Sequence, residues 1–364
     1  MNIYALMLME SNAPASLSKH KLRKLVQDPE ASAAAANLHY ICDGTPGISR
    51  ERKGKGFIYL QGGKEVKDET TLARIKSLVI PPAWEHVWIC KDVSGHLQAT
   101  GTDVRGRKQY RYHPAWSALR SQTKFVHLHD FGKALPAIRG RVAKDLALAG
   151  MPQEKVLALV VSIMQETGIR IGNAAYEKIY GSFGLSTLRN KHVTIDGSEV
   201  RFAFKGKKGV EQDLKLKSRR LAKLLQQCRE IPGKELFQFY DGKGGHHVID
   251  SGMVNGYIAE VAGGHFTAKD FRTWAGTLRA LLSLKDAPLP ETEKDKKATV
   301  IAALDAVSEH LGNTRTVCKK YYVHPRVVTL FEDGKLGSFF EKEVTAAEGL
   351  EGDEGVLMEI LAKA

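Results

Sequence analysis

The sequence predicts an α+β fold: a small β-sheet N-terminal domain, then a mainly α-helical domain that contains a three-stranded β meander. Three observations point there. Short β-like runs alternate with turn formers from Leu38 to about residue 116. Apolar residues at helical spacing dominate afterwards. Within 192–217, Asp196-Gly197 and Gly206-Lys207-Lys208-Gly209 mark two tight turns between β-like segments.

Taken in order, residues 1–37 read as a flexible or partly helical leader that includes Ala33 to Ala36. Gly44-Thr45-Pro46-Gly47 and Gly62-Gly63 flank the strand candidate Gly56 to Leu60. Asp68 to Leu78 reads as a short helix, ended by Ile80-Pro81-Pro82 because proline lacks a donor and restricts its neighbour. Val87 to Cys90 and His96 to Thr100 are further strands. Pro152 suits the N1 position of a helix with Val156, Leu159, Val160, Ile163 and Met164 on its apolar face. Val193-Thr194-Ile195 and Val200-Arg201-Phe202 form a hairpin, and Ser218 to Cys228 returns to helix. Thr267 with Asp270 makes an N-cap pair ahead of Phe271 to Leu284. Ala298 to Leu311 is amphipathic, and Gly312 ends it before a tyrosine-bearing helix. The expected organisation is a leader (1–37), a β-rich domain (38–116), a mainly helical domain (117–345) and an acidic tail (346–364).

At 364 residues the chain is long enough for two or three domains, and 43% hydrophobic with 26% charged residues is an ordinary soluble composition. Lys+Arg number 54 against 41 Asp+Glu, a net charge of +13 that favours a polyanionic partner. Cys42, Cys90, Cys228 and Cys318 lie far apart with no CxxC pair, which argues against a disulfide framework or zinc ribbon and fits a reducing cytosol. The apolar opening from Met1 to Met9 is cut by Glu10, too short for a membrane span. The expectation is a soluble, cytoplasmic protein.

The stretch Gly312 to Pro325 sets Tyr321 and Tyr322 beside Lys319 and Lys320. A tyrosine there can attack a DNA phosphate, whereas most tyrosines at a helix end are packing residues. Basic groups suited to phosphoryl transfer recur upstream. Arg170 follows a helix end and offers a forked, permanently charged donor set; a surface salt bridge is the alternative. Lys207 sits on a hairpin tip, either a solvated turn or a proton donor to a leaving oxygen. Arg272 lies off the apolar stripe of Phe271, Ala275, Leu278 and Leu282, in a first turn whose backbone donors favour an anion. In Arg107 to His113, a strand would send Arg107, Gln109 and Arg111 to one side and Lys108, Tyr110 and Tyr112 to the other. Such a strand contacts phosphates and base edges, or is an edge strand with exposed tyrosines. Asp241 to Gly245 lacks P-loop spacing, and His246-His247 and His127-Leu128-His129 lack metal-ligand partners.

These motifs, in this order, resemble the poxvirus-like bacterial branch of the type IB DNA topoisomerases, over about Leu38 to Thr329. The resemblance rests on GRKQYRYH, ETGIRIGN followed by FGLSTLRNKHV, FKGK, KDFRTW, and GNT ending in YVHPR. It implies Tyr322 as nucleophile, Arg170 and Arg272 as the catalytic arginines, and Lys207 as general acid. Asn313 stands where many relatives have a histidine that donates to a non-bridging oxygen. Gln109, Tyr110, Tyr112 and Tyr176 match DNA-contacting positions, Arg107 and Lys108 beside them are expected to bind DNA as groups that can contact phosphate, and Asn173 departs from a viral lysine.

The resemblance further implies relaxation of supercoiled duplex DNA through a 3′-phosphotyrosyl link, strand rotation and religation, with no ATP, metal or other cofactor. It implies a monomer that closes on DNA as a C-shaped clamp, away from membranes and associated with the nucleoid. A site-specific tyrosine recombinase and a non-catalytic DNA-binding protein are the alternatives. The Asp270-Phe271-Arg272 stretch, in place of His-x-x-Arg, disfavours the first.

Overall fold

The computed structural model describes residues 28–341 and 349–363, apart from Lys55, Arg105, Lys124 and Leu289. The chain divides into two compact units, Met1–His127 and Leu128–Ala364. In the first unit, helix α1 (Pro29–Ala35) starts at Asp28, whose side chain accepts from the Ala31 amide. Strands β1 (Ile48–Lys53), β2 (Gly56–Gln61) and β3 (Lys64–Glu65) precede helix α2 (Glu69–Ser77). Strands β4 (Glu85–Ile89), β5 (Leu97–Thr102) and β6 (Lys108–Tyr112) lead to helix α3 (Pro114–Thr123). The six strands form one antiparallel sheet in the order β3-β2-β1-β4-β5-β6, with β6 at an edge.

Strand alternation sets one face of that sheet against α2, where Ile48, Ile75, Val87, Ile89 and Ala99 form a core. Arg74 is buried there because its charge is answered by oxygen: it donates to Gln98 Oε1 at 2.9 Å and to the Cys90 carbonyl at 2.6 Å. A second core joins Ala33, Ala36 and Leu38 to Trp116 and Leu119. The end of the expected leader is therefore packed helix, and α3 belongs with the β-rich unit, so the division falls at His127/Leu128 and not near residue 116. Residues 1–27 lie outside the described residues.

The second unit opens with α4 (Leu128–Asp145), α5 (Gln153–Thr167) and α6 (Ala174–Tyr180). Pro152 is the N-cap of α5, one position before the expected N1. Strands β7 (Val193–Asp196), β8 (Glu199–Lys205) and β9 (Glu211–Lys217) form the expected meander. On β8, Val200, Phe202 and Phe204 are buried while Glu199, Arg201, Ala203 and Lys205 face water. Helix α7 (Arg219–Glu230) follows, capped by Ser218. A hairpin of β10 (Gln238–Tyr240) and β11 (His246–Val248) turns at Asp241, which accepts from the amides of Lys243 and Gly245. That turn is the structural use of the glycine-rich Asp241 to Gly245.

Helices α8 (Ser251–Ala262), α9 (Ala268–Lys285), α10 (Glu293–Leu311), α11 (Arg315–Tyr321) and α12 (Pro325–Glu332) complete the framework. Phe131 of α4 lies at its centre, edge-on to Phe266, Phe271 and Trp274. A last helix, α13 (Glu354–Ala362), lies in the segment read as an acidic tail. It is part of the core instead, because Val356, Leu357, Ile360 and Leu361 are apolar and buried. Its Glu354, 3% exposed, accepts from Trp274 Nε1 at 2.9 Å and from both terminal nitrogens of Arg139. No described helix is long and apolar enough to cross a membrane.

Candidate active site

Five sequence-predicted groups come together in the second unit, each placed by an element end. Helix α5 stops at Gly168, whose left-handed φ of 62° turns the chain into Ile169 and Arg170. The Arg170 carbonyl accepts the Leu185 amide at 2.9 Å, and the Ile171 carbonyl accepts Ser186 at 2.6 Å. Gly184 makes this approach possible: a Cβ there would stand 2.5 Å from the Arg170 carbonyl. Lys207 lies in the 3-10 turn Lys207–Gly209 joining β8 to β9, where it is exposed. Gly312 caps α10 with φ 57° and delivers Asn313. Tyr322 is the C-cap residue of α11.

A cleft of about 670 Å³ is lined by Arg170, Lys207, Asn313 and Tyr322, together with Lys208, Gln212, Lys269, Thr314 and Tyr321 among others. Arg272 lies against this cleft with its guanidinium carbon 5.2 Å from the centre of the Tyr322 ring. It is 4% exposed, although it lies off the apolar stripe of α9, and it is the fifth residue of that helix and not in the first turn the sequence suggested. Among the described residues it makes no salt bridge. It donates to the backbone carbonyls of Gly168 and, at 2.8 Å, Leu311, which orient the fork. Arg170 donates to the Gly312 carbonyl at 3.1 Å and to Asn313 Oδ1.

Burial, then the neighbouring Arg170, pushes the Arg272 guanidinium down to about 10, with Tyr322 acting the other way. Burial likewise lowers Arg170. A site that destabilises two adjacent cations is suited to an incoming anion. Arg272 Nε and Asn313 Nδ2 are buried donors without an acceptor among the described residues. A tetrahedral or pentacovalent phosphorus group supplies the acceptors such donors need.

Sequence reading missed several groups. Lys269 lines the cleft, and its position three residues before Arg272, on the same helical face, was the available signal. Gln212 reaches the cleft from β9, and nothing in its local sequence singles it out. Cys318 is buried near both arginines; burial raises its thiol while Arg272 and Arg170 pull it back. The Tyr176 side chain lies outside the described residues, although α6 carries its backbone.

The other predicted group lies on β6 of the first unit. Tyr110 and Tyr112 are 46% and 44% exposed and stack with ring centres 5.9 Å apart, as residues two apart on a strand do. Lys108 pairs with Asp43 at 2.6 Å. Asp103 holds Arg107 at 2.6 Å and accepts Gln109 Nε2 at 3.0 Å. Arg111 faces the opposite side from Tyr110, donating to the Val79 carbonyl at 2.9 Å.

The chain is similar to known proteins over most of its length. Residues 113–340 match the family described as eukaryotic DNA topoisomerase I, catalytic core, and residues 56–103 match the bacterial DNA topoisomerase IB N-terminal domain. DNA topoisomerase 1B of Acanthamoeba polyphaga mimivirus is 32% identical over 296 residues, 79% of this chain and 88% of its own. DNA topoisomerase 1B of Vaccinia virus (strain Copenhagen) is 24% identical over 259 residues, 69% of this chain and 76% of its own. A solved XerH site-specific recombinase bound to difH substrate is 17% identical, with a TM-score of 0.34 over 53% of this chain and 49% of that one, too slight a likeness to build on. The chain belongs to the type IB DNA topoisomerase family. It is a type IB topoisomerase by class, with DNA as its partner and relaxation of DNA as its general activity.

Proposed function

We propose that this enzyme relaxes supercoiled duplex DNA by a transient single-strand break in which Tyr322 forms a 3′-phosphotyrosyl link. The Tyr322 oxygen attacks a backbone phosphorus and the bond to the 5′ oxygen breaks. Lys207, aided by Arg170, gives that oxygen its proton. Arg170, Arg272 and Asn313 stabilise the charge on the pentacovalent phosphorus. The free strand end rotates, and the 5′-OH reverses the attack. The ester conserves the bond energy, so neither ATP nor a metal enters the cycle.

The observation that carries this reading is the gathering of Arg170, Lys207, Asn313 and Tyr322 around one cleft, with Arg272 against the tyrosine ring. Arg107, Lys108, Gln109, Tyr110, Tyr112 and Tyr176 are proposed to touch the duplex, which a single protomer grips as a clamp. Association with the nucleoid follows from that substrate. Relaxation of a plasmid lacking any special site, in EDTA and without nucleotide, is the test. Activity that depends on a divalent metal, or on a defined recombination site, would overturn the reading.

A further inference from the structure

We infer that Gly276 is a positioning residue for the nucleophile: its missing side chain is the seat on which the Tyr322 backbone rests. This deepens the reading of Tyr322 as nucleophile and rests on it. Gly276 is in the middle of α9, where glycine is a poor choice against alanine because it loses more conformational freedom. Its φ is not in the left-handed region, so no turn requires it. The surroundings do. A Cβ at 276 would stand 2.7 Å from the Tyr322 carbonyl oxygen, 3.1 Å from Tyr322 Cβ and 3.1 Å from Leu311 Cδ1. Backbone cannot swing aside as a flexible side chain can, so any larger residue displaces Tyr322 itself.

The neighbouring residue completes the seat. The Thr277 hydroxyl lies 3.2 Å from the Tyr322 carbonyl and accepts the His324 amide at 3.1 Å, which fixes the chain on both sides of the reactive ring. Residues 272 and 276 are four apart and share a helical face. One face of α9 thus carries the guanidinium that meets the Tyr322 ring and, one turn later, the surface that sets the ring's depth. The helix works as a fixed gauge between nucleophile and electrophilic clamp. Displacements under 1 Å at such a spacing lower rates severely, about 10²-fold for a full 1 Å.

The test uses the full chain with Gly276→Ala, measuring noncovalent duplex affinity and single-turnover cleavage on two substrates. One has an ordinary phosphodiester; the other has a 5′-bridging sulfur, whose thiolate leaves without protonation. The expected result is affinity within about twofold of the parent and cleavage about 10–100-fold slower on both substrates. Lys207→Ala, by contrast, is rescued by sulfur. Should Gly276→Ala fold poorly, Thr277→Val removes the hydroxyl without adding bulk and is expected to slow both substrates in the same direction. Parent-like cleavage by whichever variant folds, sulfur rescue, or loss of affinity in step with cleavage overturns the inference. A covalent adduct in Tyr322→Phe would instead overturn the assignment of the nucleophile.

Discussion

Tyr321 and Tyr322 are adjacent, yet only Tyr322 has its ring over Arg272; Tyr321 is 41% exposed with Lys320 near its ring. Both line the cleft, but Tyr321 is the last residue of α11 and Tyr322 its C-cap with φ −132°, so the helix holds one ring and the chain leaving it holds the other. Tyr322→Phe is expected to keep DNA affinity and form no covalent adduct, whereas Tyr321→Phe still cleaves; peptide mapping of the trapped adduct checks this. Lys207 is exposed on its turn. Lys207→Ala is expected to slow cleavage about 10²–10⁴-fold on ordinary DNA and to recover with a 5′-bridging sulfur, read by single-turnover assay. Residue types and spacing singled out these residues in the sequence, and the family resemblance supplied the roles proposed for them. Burial was not legible: Arg272 lies off the apolar stripe of its own helix, and the carbonyls of Gly168 and Leu311 that shelter it are remote in the chain.

At the scale of elements, local patterning foretold most of what is seen. The Thr267–Asp270 capping box starts α9, and Gly312 stops α10 in a left-handed cap. The strands β1, β3, β10 and β11 escaped notice, because each is short or lacks alternation strong enough to stand out from turns. Helix α13 escaped for another reason: its acidic start looks solvated until Arg139 and Trp274 are placed beside Glu354. Burial alone would raise the Glu354 carboxyl, but Arg139 and the surrounding donors hold it below its usual value. Glu354→Ala leaves the Arg139 charge with only the Gly349 carbonyl at 2.9 Å and the indole donor unanswered in a low-dielectric site. It is expected to cost about 3 kcal/mol of stability, measured by denaturant unfolding.

Across the whole molecule, two properties of charge make measurable consequences. A net charge of +13 and a polyanionic partner imply counterion release, so duplex affinity is expected to fall with salt at a log–log slope of about −0.9 per neutralised phosphate. Titrating relaxation against salt should show a change from processive to distributive action; a flat profile would contradict extensive phosphate contact. Burial also lowers His96, His113, His192 and His310 below their ordinary value. The unfolded chain therefore takes up protons from about pH 6.5 that the folded protein still refuses. Stability present above that pH is expected to be lost progressively as pH falls through the lower folded values. Melting temperatures between pH 8 and 5 check the sign. Composition announced the first property, while the second depends on which histidines the fold encloses.

The carboxylates beside the edge strand carry one more consequence. Asp43 and Asp103 already occupy Lys108, Arg107 and Gln109 at hydrogen-bond distance, and they are tethered to the same domain. A tethered competitor acts at high effective concentration, and a free phosphate or short nucleotide in solution must outcompete it group by group. A long duplex presents its phosphates in register and can exchange with all of these groups in one event. If these groups touch the duplex as proposed above, the strand acts as a filter on polymer length, and the expected outcome is weak competition by free phosphate or short nucleotides against long duplex DNA.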